Sequence, residues 1–103
     1  MNDPKAANPA VRLDVNEHTL IFELAVADFE QFPTQAEQLC QRLDLRVRER
    51  SWGADRHQWL VEFESSLLWL NFEFYSGSCW LSCQQPEDFE VLQYLQSLWE
   101  SQQ

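Results

Sequence analysis

Glycine is scarce in this chain of 103 residues, occurring only as Gly53 and Gly77. A phosphate cradle needs glycines so that backbone N–H groups can close on the ligand, and neither G-x-x-x-x-G-K-[ST] nor G-x-G-x-x-G occurs. A nucleotide-binding loop of that kind is excluded. Basic residues are also few. Seven Lys and Arg stand against 17 Asp and Glu, for a formal charge of −10. Phosphate contacts draw on Lys and Arg, so this balance argues against nonspecific binding to nucleic acid or anionic membranes. Long apolar runs are missing too. Leu67 to Leu70 spans four residues, against the ~20 that a membrane-spanning helix needs. The opening MNDPKAANPA lacks a basic stretch followed by an apolar one, which argues against a secretory signal and for a cytoplasmic location. In that compartment the three cysteines are expected as thiols.

Aromatic residues are plentiful. There are 14, five of them Trp, enough with the aliphatic residues for a folded domain of this size. Residues 1–10, with two prolines and small polar residues, read as a disordered tail; 11–103 read as a single domain. The segment VRLDV alternates and predicts a strand; HTLIFELAV predicts a second. A turn at Asn16-Glu17 pairs Leu13 with Leu20 and Val11 with Phe22, putting the apolar partners on one face. In TQAEQLCQRL, Thr34 and Glu37 fit a capping box, and Ala36, Leu39, Cys40 and Leu43 form an apolar stripe. Four further strands follow as a meander. Turns at Gly53–Asp55, Ser65-Ser66 and Ser76-Gly77 predict that Val47 faces Val61, Trp59 faces Phe72, and Phe74 faces Cys79. The closing PEDFEVLQYLQSLWESQQ reads as a helix, with Pro86 in its first turn, Glu87 and Asp88 at its positive end, and a wide apolar stripe. The order β-β-α-β-β-β-β-α predicts an α+β two-layer sandwich: a mostly antiparallel sheet with two helices on one face. The position of the first hairpin in the sheet is left open.

Those registers assign a second sheet face to residues pointing away from the helices. It holds Arg46, Arg48, Arg50 and Trp52, then Gln58, Leu60 and Glu62, then Trp69, Asn71 and Glu73, then Trp80 and Ser82. Five of the seven basic residues lie between positions 42 and 56, whereas 57–103 carries seven acids and no Lys or Arg. A bland reading makes this a solvated face on which Arg and Glu pair across strands. A sharper one makes Arg46, Arg48, Arg50, Trp52, Trp69 and Trp80 a binding face, because Trp and Arg are enriched at interface hot spots. Stacking of a planar or nucleic-acid ligand is a weaker variant, opposed by the overall charge.

Catalytic and metal chemistry find little support. Cys79 and Cys83, four apart on a strand, stand ~13 Å from each other, too far to share a zinc ion. His57 falls in one cross-strand row with Phe74 and Cys79, with Phe74 between them, and His18 lies in the other hairpin. Neither gives a Cys–His pair in contact. His57 reads as a partly exposed edge residue, and Cys40, Cys79 and Cys83 as structural thiols. No metal, cofactor or catalytic residue is expected.

The runs RSWGADRHQWLVEFE and LLWLNFEFYSGSCWL resemble a small family of uncharacterised gammaproteobacterial proteins of about this length. The resemblance implies a bacterial, cytosolic origin and carries no functional residue. The expectation is a non-enzymatic protein-interaction module of adaptor, inhibitor or immunity type, with a protein partner or a second copy on the open face. Two rivals stand beside it. One is a small-ligand or catalytic pocket between sheet and helices near His57. The other is an acidic C-terminal helix that imitates nucleic-acid charge toward a basic partner.

Overall fold

The computed structural model describes residues 9–24 and 29–102. Strands β1 (Val11–Asp14) and β2 (Thr19–Phe22) precede helix α1 (Phe32–Arg42). Strands β3 (Arg46–Trp52), β4 (Arg56–Phe63), β5 (Ser66–Glu73) and β6 (Ser78–Cys83) follow, and α2 (Phe89–Glu100) closes the chain. The six strands form one antiparallel sheet in the order β1-β2-β6-β5-β4-β3. This is the expected α+β sandwich, and the open question of the first hairpin is resolved: β2 pairs with β6. The tail expected over 1–10 falls mostly outside the described residues. Its last two residues are held in place, since the Trp99 indole N–H donates to the Pro9 carbonyl at 2.7 Å and the Glu23 N–H donates to the Ala10 carbonyl at 2.9 Å.

Three cross-strand rows make the helix-covered face. The first runs Val11, Phe22, Cys79, Phe72, His57, Trp52; the second runs Leu13, Leu20, Leu81, Leu70, Trp59, Arg50. The third, over four strands, is Cys83, Leu68, Val61, Val47. Helix α1 brings Phe32, Ala36, Leu39 and Cys40 onto one half of this surface, and α2 brings Leu92, Leu95 and Trp99 onto the other. Phe32 stacks on Phe72 with ring centroids 4.8 Å apart, and Trp99 meets Phe22 edge to face at 5.2 Å.

The glycine shortage shows in the turns. His18, Asp44 and Glu64 take positive φ angles of 56°, 59° and 54°, positions that glycine fills at lower steric cost. Asp44 ends α1: its N–H donates to the Gln41 carbonyl, and the Leu45 N–H reaches back to the Cys40 carbonyl at 2.8 Å. That pair of bonds satisfies carbonyls that a helix end otherwise leaves open, and it turns Leu45 into the core. Helix α1 begins earlier than its sequence signal. A 3₁₀ turn at Phe29–Gln31 leads directly into it, and Pro33 sits in its first turn. The expected Thr34–Glu37 capping box does not form: Gln31 is the N-terminal boundary, with no side-chain cap.

Several expected registers shift. The first hairpin pairs as predicted, and Val47 faces Val61. In the β4–β5 hairpin, however, Trp59 faces Leu70 and His57 faces Phe72. In the β5–β6 hairpin, Phe72 rather than Phe74 faces Cys79. Both hairpins slide by two residues because the reversals use Glu64-Ser65 and a longer loop from Phe74 to Gly77. Phe74 leaves the ladder and is 43% exposed.

Candidate functional site

The face away from the helices has its own rows. One reads Arg12, Ile21, Trp80, Asn71, Gln58, Ser51; the next reads Asp14, Thr19, Ser82, Trp69, Leu60, Glu49. Shorter rows add Leu67, Glu62 and Arg46 at one end, and Ser78, Glu73 and Arg56 at the other. Trp69 and Trp80 therefore lie on adjacent strands, one row apart on the diagonal. Both are half-buried, as are Ile21 and Leu60.

Asn71 holds the centre of this face together. It is only 8% exposed, although it points away from the helices. Its Nδ2 group lies 3.2 Å from the Trp69 carbonyl, 3.3 Å from the Trp80 carbonyl and 3.2 Å from Ser82 Oγ, and donates toward all three. Its Oδ1 accepts from Gln58 Nε2 at 3.0 Å. A nearly buried amide pays for desolvation only when its bonds are made, so this network fixes Asn71 and the two backbones that carry the Trp rings. The sequence pattern puts Asn71 on this face but not in this role, because the diagonal that sets it beside both Trp69 and Trp80 exists only in the observed β5–β6 register.

The expected binding set does not stay together. Arg46, Arg48, Trp69 and Trp80 share the open face. Arg46 stands across from Glu62, and Arg48 forms an ion pair with Glu62. A bulge between Val47 and Glu49 then changes the phase of β3. Arg50 is consequently on the helix side, where its guanidinium lies 4.8 Å from the Trp59 ring centre and pairs with Glu37 on α1. Trp52 also turns to that side, opposite His57, and remains 69% exposed at the strand end. The expectation that six residues share one surface is thus corrected to four.

Charge is distributed unevenly between the faces. The open face carries Arg12, Arg46, Arg48 and Arg56 against Asp14, Glu49, Glu62 and Glu73, so it balances while the whole chain carries −10. These charges surround Ile21, Leu60, Trp69 and Trp80. A concavity of ≈ 220 Å³ opens beside Trp80, Asn71 and Arg56, and another of ≈ 320 Å³ beside Leu60, Leu67 and Arg48.

The layer between sheet and helices is filled. His57, expected at a partly exposed edge, is 5% exposed; its ring stacks 5.0 Å from Phe32, beside Phe72. The two-residue register shift accounts for this, since it places His57 against Phe72 instead of the exposed Phe74. Phe72 also separates His57 from Cys79. The β2–β6 pairing does bring His18 near Cys83, but the thiol approaches the His18 carbonyl at 3.9 Å, while the imidazole meets Phe89 edge to face. Burial raises the Cys40 thiol to about 12 and pushes Cys79 and Cys83 upward as well, which opposes thiolate chemistry. Among the described residues no three His, Cys, Asp or Glu side chains are grouped to hold a metal. No described helix is long and apolar enough to cross a membrane.

Residues 9–100 match the family described as protein of unknown function DUF3630, and the chain belongs to that family. No curated protein and no solved structure matches it.

Proposed function

We propose that this member of the DUF3630 family is a non-enzymatic protein-interaction module of adaptor, inhibitor or immunity type, which binds through the open face of its sheet. One observation carries the reading. Half-buried Trp69 and Trp80 are set on a rigid, amide-locked sheet surface, with Arg46 and Arg48 at its rim. Hot spots combine these features: aromatic anchors held in place at low entropic cost and polar groups around them. Arg50 and Trp52 are left out of the binding set because they lie on the other side. A pocket between sheet and helices has less support, since Phe32, His57, Trp59 and Phe72 fill that layer. A bacterial cytosolic setting is part of the same proposal, supported by the sequence resemblance and by three free cysteines.

The test is retention of proteins from a bacterial lysate on immobilised protein, compared with Trp69→Ala and Arg48→Glu. Both side chains are partly exposed, so the fold should survive, as circular dichroism would verify. The expected result is loss of specifically retained species with either variant. Unchanged retention with both would remove the open face as the binding site.

A further inference from the structure

We infer that the occupant of the open face is a second copy of this chain, packed face to face about a two-fold axis along the middle of the sheet. The inference rests on the reading of that face as protein-binding and specifies its partner.

Two molecules of formal charge −10 repel each other. They can meet closely only on a surface that adds nothing to the repulsion. The open face, with four Arg and four acids, is such a surface. A strongly basic partner would be drawn instead to the surfaces that carry the acidic excess. The arrangement also follows interface anatomy, with an apolar centre and a charged rim.

The strand order β1-β2-β6-β5-β4-β3 places the sheet midline between β6 and β5. A two-fold axis along that line exchanges the two strands. Trp80 pairs with Asn71 in one row, and Ser82 with Trp69 in the next. After the exchange, Trp80 faces Asn71 of the second copy, and Trp69 faces its Ser82. Each large ring therefore stands over a small residue, and the four rings interleave rather than collide. In the same operation Ile21 faces Gln58, and Leu60 faces Thr19. Asp14 of each copy approaches Glu49 of the other, a like-charged contact made twice by symmetry, and Arg48 lies next to Glu49 in the bulge.

Six strands ~4.8 Å apart span ~24 Å; the longest, β4 and β5, run ~27 Å, and the others, from four to seven residues, run ~14–24 Å. The face is then roughly 600 Å² per copy, or about 1,200 Å² in total, at the lower bound of specific interfaces. Such a pairing is expected to depend on concentration, with dissociation in the micromolar range.

The experiment is sedimentation velocity of the full chain from about 1 to 200 μM, with Trp80→Glu and Trp52→Glu beside the wild type. The wild-type mass should rise from 12.3 kDa toward twice that value. Trp80→Glu should weaken association at least tenfold, while Trp52→Glu, on the opposite side, should leave it unchanged. A wild-type monomer over the whole range overturns the inference. If Trp69→Ala still abolishes capture of another protein, the face remains a binding site and only its occupant was misassigned; if capture is also unaffected, both readings fall. A dimer equally strong with Trp80→Glu would place the contact elsewhere and overturn the inference too.

Discussion

Replacing Asn71 by Asp changes one atom group at the centre of the open face, and its cost can be worked from the geometry. The substitution turns Nδ2, which has two N–H groups, into an oxygen that faces the Trp69 and Trp80 carbonyls at 3.2 and 3.3 Å. Two donated bonds are lost, at about 1 kcal/mol each. A carboxylate is also left in a site that is 8% exposed, which adds about 1–2 kcal/mol. The variant should lose about 3 kcal/mol relative to wild type at pH 7.5, on the sum of these effects. Burial and the facing carbonyls raise the new carboxyl above its unfolded value of ~3.9. A raised folded-state value means that the folded variant binds its proton more tightly than the unfolded chain. The penalty must therefore shrink as pH falls through the folded value and level off below ~3.9. Each tenfold gain in proton affinity is worth about 1.4 kcal/mol, so a fall of roughly that size is expected between pH 7.5 and about 3.5, most of it below pH 5. Urea unfolding followed by Trp fluorescence, read as variant minus wild type at each pH, cancels titrations common to both. A penalty below about 1 kcal/mol, or one equal at both pH values, would refute the account of Asn71 as the donor that locks this face.

Two further outcomes follow from the packed layer. Phe72→Ala should cost about 3–5 kcal/mol in denaturant unfolding, because the ring is buried and stacked on Phe32; a loss under 1 kcal/mol, less than about one buried methylene group is worth, would mean that it does not support the core. Cys40 has its thiol raised from 9.0 to about 12 by burial. Its contribution to stability is present below pH 9.0 and lost as pH rises toward 12, so Cys40→Ala should flatten the alkaline loss seen in thermal melts. Rapid labelling of Cys40 in the native protein at pH 8 would contradict the assignment.

The fold was legible where apolar residues alternate. Val11, Leu13, Leu20 and Phe22 specify one face and one register, and a slip by one would expose them. The same physics explains what was not legible. A slip by two leaves every side chain on its original face, so the hydrophobic pattern is blind to it. This is how Phe74, rather than Phe72, came to be placed opposite Cys79. Strand β3 was less legible still. After Val47 it reads RERSW, with no apolar alternation to fix its phase, so nothing signalled the bulge that carries Arg50 and Trp52 to the other side. The candidate site was recoverable only in part. Trp69 and Trp80 follow from the pattern of β5 and β6, whereas the burial of Asn71 depends on two strands meeting and on a hydrogen-bond geometry that no local pattern encodes.

The bulge in β3 bears on how large any assembly can grow. β3 is an outer strand, and four of its seven residues are charged. An irregular, charged border is a poor template for strand addition, and the opposite border, β1, is only four residues long. Neither border offers a long straight run of free N–H and C=O groups onto which another molecule could extend the sheet: β3 is bulged and β1 is short. Growth in the plane of the sheet would be open-ended and lead to filaments, whereas contact through its flat surface with two-fold symmetry closes after two molecules. A chain with both Trp residues and an uncovered sheet can thus associate through that surface without polymerising.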